Sequence, residues 1–132
     1  MDMVIGTLSI LPSPDRRVHV LEILRSIHGP VTTERGCAGC HIYEEDGPEP
    51  FIVLVERWDT EESLEAHVRS EHFRHLLGAL ELSASAPGVC FDHVSSSEGV
   101  ELVERVLTSH TQSLANAGAI PAGPSVARAL TR

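Results

Sequence analysis

The chain has 132 residues and a formal charge of −9, from 19 acidic side chains against ten basic ones, all of them arginine. That is one domain's worth of chain, and 42% apolar and 22% charged residues at zero mean hydropathy exclude a disordered or membrane-embedded class. The acidity and the 4% aromatic content argue against binding nucleic acid or an anionic membrane, which need a cationic footprint and, for single strands, stacking rings.

Met3 to Leu11 is rich in β-branched and apolar residues and stops at Pro12, which predicts a strand. Ser13-Pro14-Asp15 offers an N-cap, a proline at the first helical position and an acid in the first turn. Val18, Leu21, Leu24 and Ile27 then recur at helical spacing, with Val20 and Ile23 widening the stripe, and Gly29-Pro30 closes the helix. Cys37 to Glu44 predicts a second strand and Glu45-Asp46-Gly47-Pro48 a turn. Phe51 to Trp58 predicts a third strand whose two faces, Phe51, Val53, Val55, Arg57 and Ile52, Leu54, Glu56, Trp58, are both largely apolar. One helix follows, started by Asp59-Thr60-Glu61-Glu62, filled by Leu64, His67, Val68, Phe73, Leu76, Leu77 and Leu80, and punctuated by Pro87-Gly88. Val89 to Val94 predicts a fourth strand. A last helix opens at Ser97-Glu98, carries Val100, Val103, Val106, Leu107, His110 and Leu114 on one face, and ends at Gly118.

The order β-α-β-β-α-β predicts an α+β fold, a ferredoxin-like split βαβ with an antiparallel sheet and helices on one face, plus an extra C-terminal helix. The expected division is a domain over 1–96, a helix over 97–118 and a flexible tail over 119–132. One helical layer covers one sheet face; the two-sided apolar third strand predicts that a second copy covers the other, making a homodimer. The N-terminus lacks a signal-peptide pattern and no apolar run is long enough to span a bilayer, so the expected location is the cytoplasm. Three cysteines do not suit a disulfide framework.

Cys37-Ala38-Gly39-Cys40-His41 has the spacing of a c-type haem attachment site. No export signal is present, Met1 and Met3 are the only methionines, and strand alternation would send Cys37 and Cys40 to opposite faces. The expectation is two reduced, unbonded filler cysteines. His67, His72 and His75 share the second helix, with His72 and His75 at i, i+3. They are either half-buried and hydrogen-bonded residues or, with a carboxylate from elsewhere, metal ligands; no metal is assigned. Trp58 reads as a core or interface anchor. Glu56 shares its strand face and is a partner for a histidine or for an arginine. Tyr43 and His41 share a face of their strand. The sequence carries no GxGxxG, no Walker loop and no serine elbow.

Gly36-Cys37, Tyr43, Phe51-Ile52-Val53-Leu54-Val55-Glu56-Arg57-Trp58, Ser63-Leu64-Glu65-Ala66-His67 and Ser70-Glu71-His72-Phe73 together resemble the antibiotic biosynthesis monooxygenase (ABM) domain, over roughly residues 3–95. The resemblance implies a dimeric α/β barrel, two ferredoxin-like protomers with facing sheets. It implies a cofactor-independent monooxygenase acting on a small aromatic or quinol substrate, with a pocket between the second helix and the sheet. His72 and His67 would be the catalytic acid–base groups, and Trp58, Tyr43, His41, Glu56 and Phe73 would bind substrate. Leu76 and Leu77 stand where a haem-degrading relative carries its iron-ligating histidine, so that branch of the resemblance is not supported. The alternative function is a non-catalytic small-ligand-binding or stress-response module of the same fold.

Overall fold

A computed structural model describes residues 3–116 of the chain. Four antiparallel strands, β1 (Met3–Ile10), β2 (Cys37–Glu44), β3 (Ile52–Trp58) and β4 (Gly88–Val94), lie in the order β2-β3-β1-β4. Helix α1 (Arg17–Thr32) connects β1 to β2, and α2 (Glu61–Val68) with α3 (Glu71–Leu80) connects β3 to β4. This is the expected ferredoxin-like α+β fold, and the sheet of the single chain is open, not a closed barrel. A second unit begins at Ser96; it contains α4 (Val100–Asn116), and its neighbouring Glu98 pairs with Arg105 at 2.8 Å. The expected close of that helix at Gly118 and the expected tail over 119–132 lie outside the described residues.

Alternation along the strands decides which sheet face meets the helices. Val4, Leu8 and Ile10 of β1 and Ile52, Leu54 and Trp58 of β3 are buried together with Val20, Leu24, Ile27 and Val31 of α1 and Phe73, Leu76 and Ala79 of α3 in one core. Direct cross-strand partners share a face, so Ile5, opposite Arg57, and Val53 and Val55, opposite Ser9 and Thr7, lie on the other, half-exposed side.

Four local details depart from the sequence reading. First, Ser13-Pro14-Asp15 forms a turn closed by the Arg16 amide on the Ser13 carbonyl at 2.9 Å, and the helix proper starts at Arg17 without a side-chain cap. Arg17 instead ties this end to the β2–β3 hairpin, bonding Glu44 at 2.7 Å and the Pro50 carbonyl at 2.8 Å. Val18, expected in the buried stripe, is exposed at this start. Second, α1 runs through Pro30 to Thr32, because Val31, one turn beyond Ile27, is fully buried and extends the apolar stripe. Its burial outweighs the single hydrogen bond that a proline in the last turn forgoes.

Third, the helix expected over Glu61 to Leu80 is two. The Ser70 hydroxyl accepts from the Phe73 amide at 3.3 Å and donates to the His67 carbonyl at 2.6 Å, capping α3 and closing α2 with one side chain. The break turns Leu77 and Val68 out to solvent. Fourth, β2 carries a bulge: Cys37 is opposite Trp58 and Cys40 opposite Glu56, with a register shift between Cys37 and Gly39. One extra residue on one strand restores the phase. Cys37 and Cys40 therefore lie on the same, helix-facing side, against the expectation from simple alternation.

Candidate active site

The centre of the helix-facing side of the sheet holds a carboxylate. Glu56 is two residues before Trp58 on β3 and opposite both Gly6 on β1 and Cys40 on β2. Gly6 leaves room there: a Cβ on it would come 3.1 Å from the Phe91 ring, which reaches across from β4. Glu56 and Trp58 are fully buried. An ionised carboxylate in such a place must be paired.

The partner comes from α2. Thr60 caps that helix by accepting from the Ser63 amide at 3.1 Å, with Glu61 and Glu62 in the first turn as expected. Two turns on, the last turn presents His67, also fully buried, with its ring stacked on Trp58 at 4.5 Å and edge-on to Phe73 at 5.4 Å. His67 Nε2 is 3.0 Å from Glu56 Oε2. That approach is not aligned as a hydrogen bond, so His67 Nε2, both Glu56 oxygens and Trp58 Nε1 are buried polar atoms without a hydrogen-bond partner among the described residues. Such atoms are rare in folded proteins because each forfeits its hydration.

The other side of the imidazole is occupied by Glu34, from the loop between α1 and β2. His67 Nδ1 donates to it at 3.1 Å from both carboxylate oxygens, and His72 Nδ1, from the first turn of α3, donates to the same Glu34 Oε2 at 3.0 Å. The loop is shaped by Gly36, whose φ of +84° is left-handed, and whose missing side chain admits Ser63. Its carbonyl accepts from the Asp59 amide at 2.8 Å, which fastens the loop to the end of β3. The result is a chain Glu56, His67, Glu34, His72 running from the sheet outward, with His72 the most exposed at 36% of its side chain. Burial, the largest single influence on His67, disfavours its charge. The carboxylates of Glu56 and Glu34 together outweigh it, so the imidazole is held above its ordinary value.

The arrangement brings together five of the seven residues singled out in the sequence: His67, His72, Trp58, Glu56 and Phe73. Tyr43 and His41 are elsewhere. They stack on each other at 6.1 Å on the opposite face of the sheet, across from Val53 and Val55. Glu34, which joins the two histidines, was not among the sequence candidates; its only signal is the glycine two positions on. The three cysteines are free. Burial, reinforced by Glu56, pushes the Cys40 thiol up to about 12, and burial raises that of Cys37 as well, so both are poor nucleophiles. Among the described residues no three His, Cys, Asp or Glu side chains are grouped as metal ligands.

The sequence profile of the family described as antibiotic biosynthesis monooxygenase matches residues 3–79, a span that contains every residue of the buried chain. No curated protein matches the sequence. Among solved structures, the chain is similar to a conserved protein of Methanosarcina mazei Go1, with 21% identity and a TM-score of 0.65 over 72% of this chain and 95% of that one. A Mycobacterium tuberculosis protein, Rv0793, is similar at 23% identity and a TM-score of 0.61, over 74% of this chain and 97% of that one. A Nitrosomonas europaea protein provisionally assigned as an antibiotic biosynthesis monooxygenase is similar at 17% identity and a TM-score of 0.64, over 74% and 94%. At these identities the likeness is one of fold.

Proposed function

The chain belongs to the antibiotic biosynthesis monooxygenase family, and from that premise we propose that it is a cofactor-independent monooxygenase of a small aromatic or quinol substrate. The observation that carries this reading is the group of buried polar atoms left unpaired on Glu56, Trp58 and His67. A substrate hydroxyl or carbonyl placed there satisfies them. Phe73 and the Trp58 indole supply apolar walls for a flat ring.

In this proposal Glu56 takes a proton from an activated CH₂ of the substrate, and the imidazolium of His67 stabilises the anion that forms. The carbanion gives electrons to dioxygen, a hydroperoxide forms at that carbon, and loss of water leaves a carbonyl. The balance is CH₂ + O₂ → C=O + H₂O, and the substrate supplies all the electrons. Glu34 holds His67 in place, and His72, at the solvent end, exchanges protons with water and marks the side from which substrate enters. The active form is a homodimer joined through the half-exposed sheet face, closing a dimeric α/β barrel. The proposed location is the cytoplasm, which suits three free thiols; among the described residues no helix is long and apolar enough to cross a membrane.

Oxygen uptake with a panel of hydroquinones and anthrone-like phenols tests the reading. Uptake above autoxidation, lowered by about 10²–10⁴-fold in Glu56→Gln, is the expected result for loss of the group that takes the substrate's proton. Uptake equal to buffer across the panel sinks it in favour of a non-catalytic ligand-binding module. The full burial of Glu56, Trp58 and His67 favours that second reading, in which the ion chain only holds the fold.

A further inference from the structure

Cys40 on β2, Glu56 on β3, Gly6 on β1 and Phe91 on β4 lie opposite one another in a line across the helix-facing side of the sheet. The middle of that line is bare. Gly6 is inside a strand, between Val4 and Leu8 on the same buried side, and its φ is not left-handed. Nothing in the backbone asks for glycine there. A glycine in a strand interior weakens the strand, and it marks a place where another group comes close to the main chain.

That group is the Phe91 ring. Its Cε1 and Cδ1 would be 3.1 and 3.2 Å from a Cβ on Gly6, and Glu56 Oε1 would be 3.9 Å from the same point. The ring and an unpaired carboxylate oxygen therefore border one small space above Gly6. Phe91 is less confined than the other groups around Glu56. Cys40, Trp58 and His67 are buried, and Trp58, His67 and Phe73 brace one another through their rings. Phe91 is half-buried on an outer strand, and Val89 and His93, its neighbours on the same side of β4, are exposed. A ligand reaches a fully buried carboxylate only where a wall yields. Displacing a half-buried ring uncovers less apolar surface than displacing Trp58 or Phe73. This side of β4 faces away from the half-exposed sheet face, so a second copy bound there does not cover it.

We propose that Phe91 is the specificity-determining residue of the site at Glu56 and restricts it to phenols with a single ring. The proposal rests on the reading of the Glu56 group as a ligand site, catalytic or not. In the free protein the Phe91 ring holds the place above Gly6. The ligand's ring takes that place as Phe91 turns outward over the edge of β4, and the ligand's hydroxyl donates to Glu56 Oε1. The exchange is ring for ring. The displaced side chain still stands at the outer end of the place, so a second fused ring meets it.

The test is a titration of the full chain with phenol and with 2-naphthol, followed by amide shifts in NMR. The expected result is saturable phenol shifts centred on Gly6, Glu56 and Phe91. 2-Naphthol binds less tightly by about tenfold or more, the scale of a steric mismatch in a small pocket, although its larger apolar area favours it. Phe91→Ala, which leaves the place open, reverses that preference, and Phe91→Leu shifts it in the same direction by less. Gly6→Ala, which puts a Cβ into the place, weakens phenol binding by about tenfold or more with circular dichroism unchanged. A wild-type preference for 2-naphthol, or a preference that Phe91→Ala and Phe91→Leu both leave unchanged, overturns the proposal while the site stands. Shifts at Glu56 from neither ligand remove the site and the proposal together. The titration reads no oxygen uptake, so a failure of the oxygenase chemistry alone leaves its result intact.

Discussion

Glu34 and His67 are 33 residues apart in sequence, yet both Glu34 oxygens are 3.1 Å from the one ring nitrogen of His67. The contact joins the loop after α1 to the end of α2, and because Glu34 also accepts from His72, it sets the orientation of two rings at once. Glu34→Gln keeps the shape and removes the charge. Destabilisation of about 1–3 kcal/mol is expected, from weakened charge-assisted hydrogen bonds. The His67 titration, followed by NMR, should move down toward the ordinary imidazole value. An unmoved titration would show that Glu56 alone holds the proton on His67.

The same cluster makes stability depend on pH. The unfolded imidazole titrates near its ordinary value of about 6.5, and the folded value of His67 lies above that. The folded state therefore holds the proton more tightly. The resulting stability is fully present below about pH 6.5 and is lost as pH rises through the folded value. Urea midpoints should fall on going from about pH 6 to about pH 9. His67→Gln should flatten that slope. It should also cost about 3–5 kcal/mol at neutral pH, since it strands a fully buried Glu56 without a counter-charge.

Gly36→Ala tests the loop that delivers Glu34. A side chain at φ +84° costs about 1–3 kcal/mol in backbone strain alone, and the new Cβ collides with Ser63. Denaturant unfolding should show Gly36→Ala more destabilised than Gly36→Ala combined with Ser63→Gly, which removes the collision and leaves the strain. Equal losses in the two proteins would mean that the loop moves aside at no cost, and that Glu34 is held by its histidines alone.

The half-exposed sheet face makes its own prediction. Light scattering at micromolar concentration should report a dimer, burying more than about 1,000 Å² in total. Val55→Glu, placed on that face opposite Thr7, should yield a folded monomer with unchanged circular dichroism. A monomeric wild-type protein would leave Val53 and Val55 as ordinary surface residues.

The elements that a period of two or 3.6 governs were legible in the sequence: all four strands, the buried stripe of α1, and the Thr60 cap. The departures have specific causes. Ala38 and Gly39 interrupt the apolar alternation of β2, and Gly39, a residue type that often marks a bulge, was the one sign of it. Ser70 looks like any polar helix residue until its hydroxyl is seen to bond two backbones at once. Glu56, Trp58, His67, His72 and Phe73 stood out as a spacing pattern. Glu34 did not, because an acid in Thr32-Thr33-Glu34-Arg35-Gly36 reads as solvated surface, and only the left-handed turn at Gly36 brings it inward. His41 and Tyr43 were correctly placed on one strand face, but which face depended on the register with β3.

The His28 imidazole on the Cys40 carbonyl bears on how the molecule can multiply. An outer strand normally offers a free row of amides and carbonyls on which another chain can add, and repetition of that step yields a fibre without end. Here β2 is an outer strand, and one of its acceptors is already taken by a ring from α1, which leaves that carbonyl unavailable to an incoming backbone. Growth along the hydrogen-bonding direction is obstructed on this border. Association across the sheet face, which closes after two copies, meets no such obstacle.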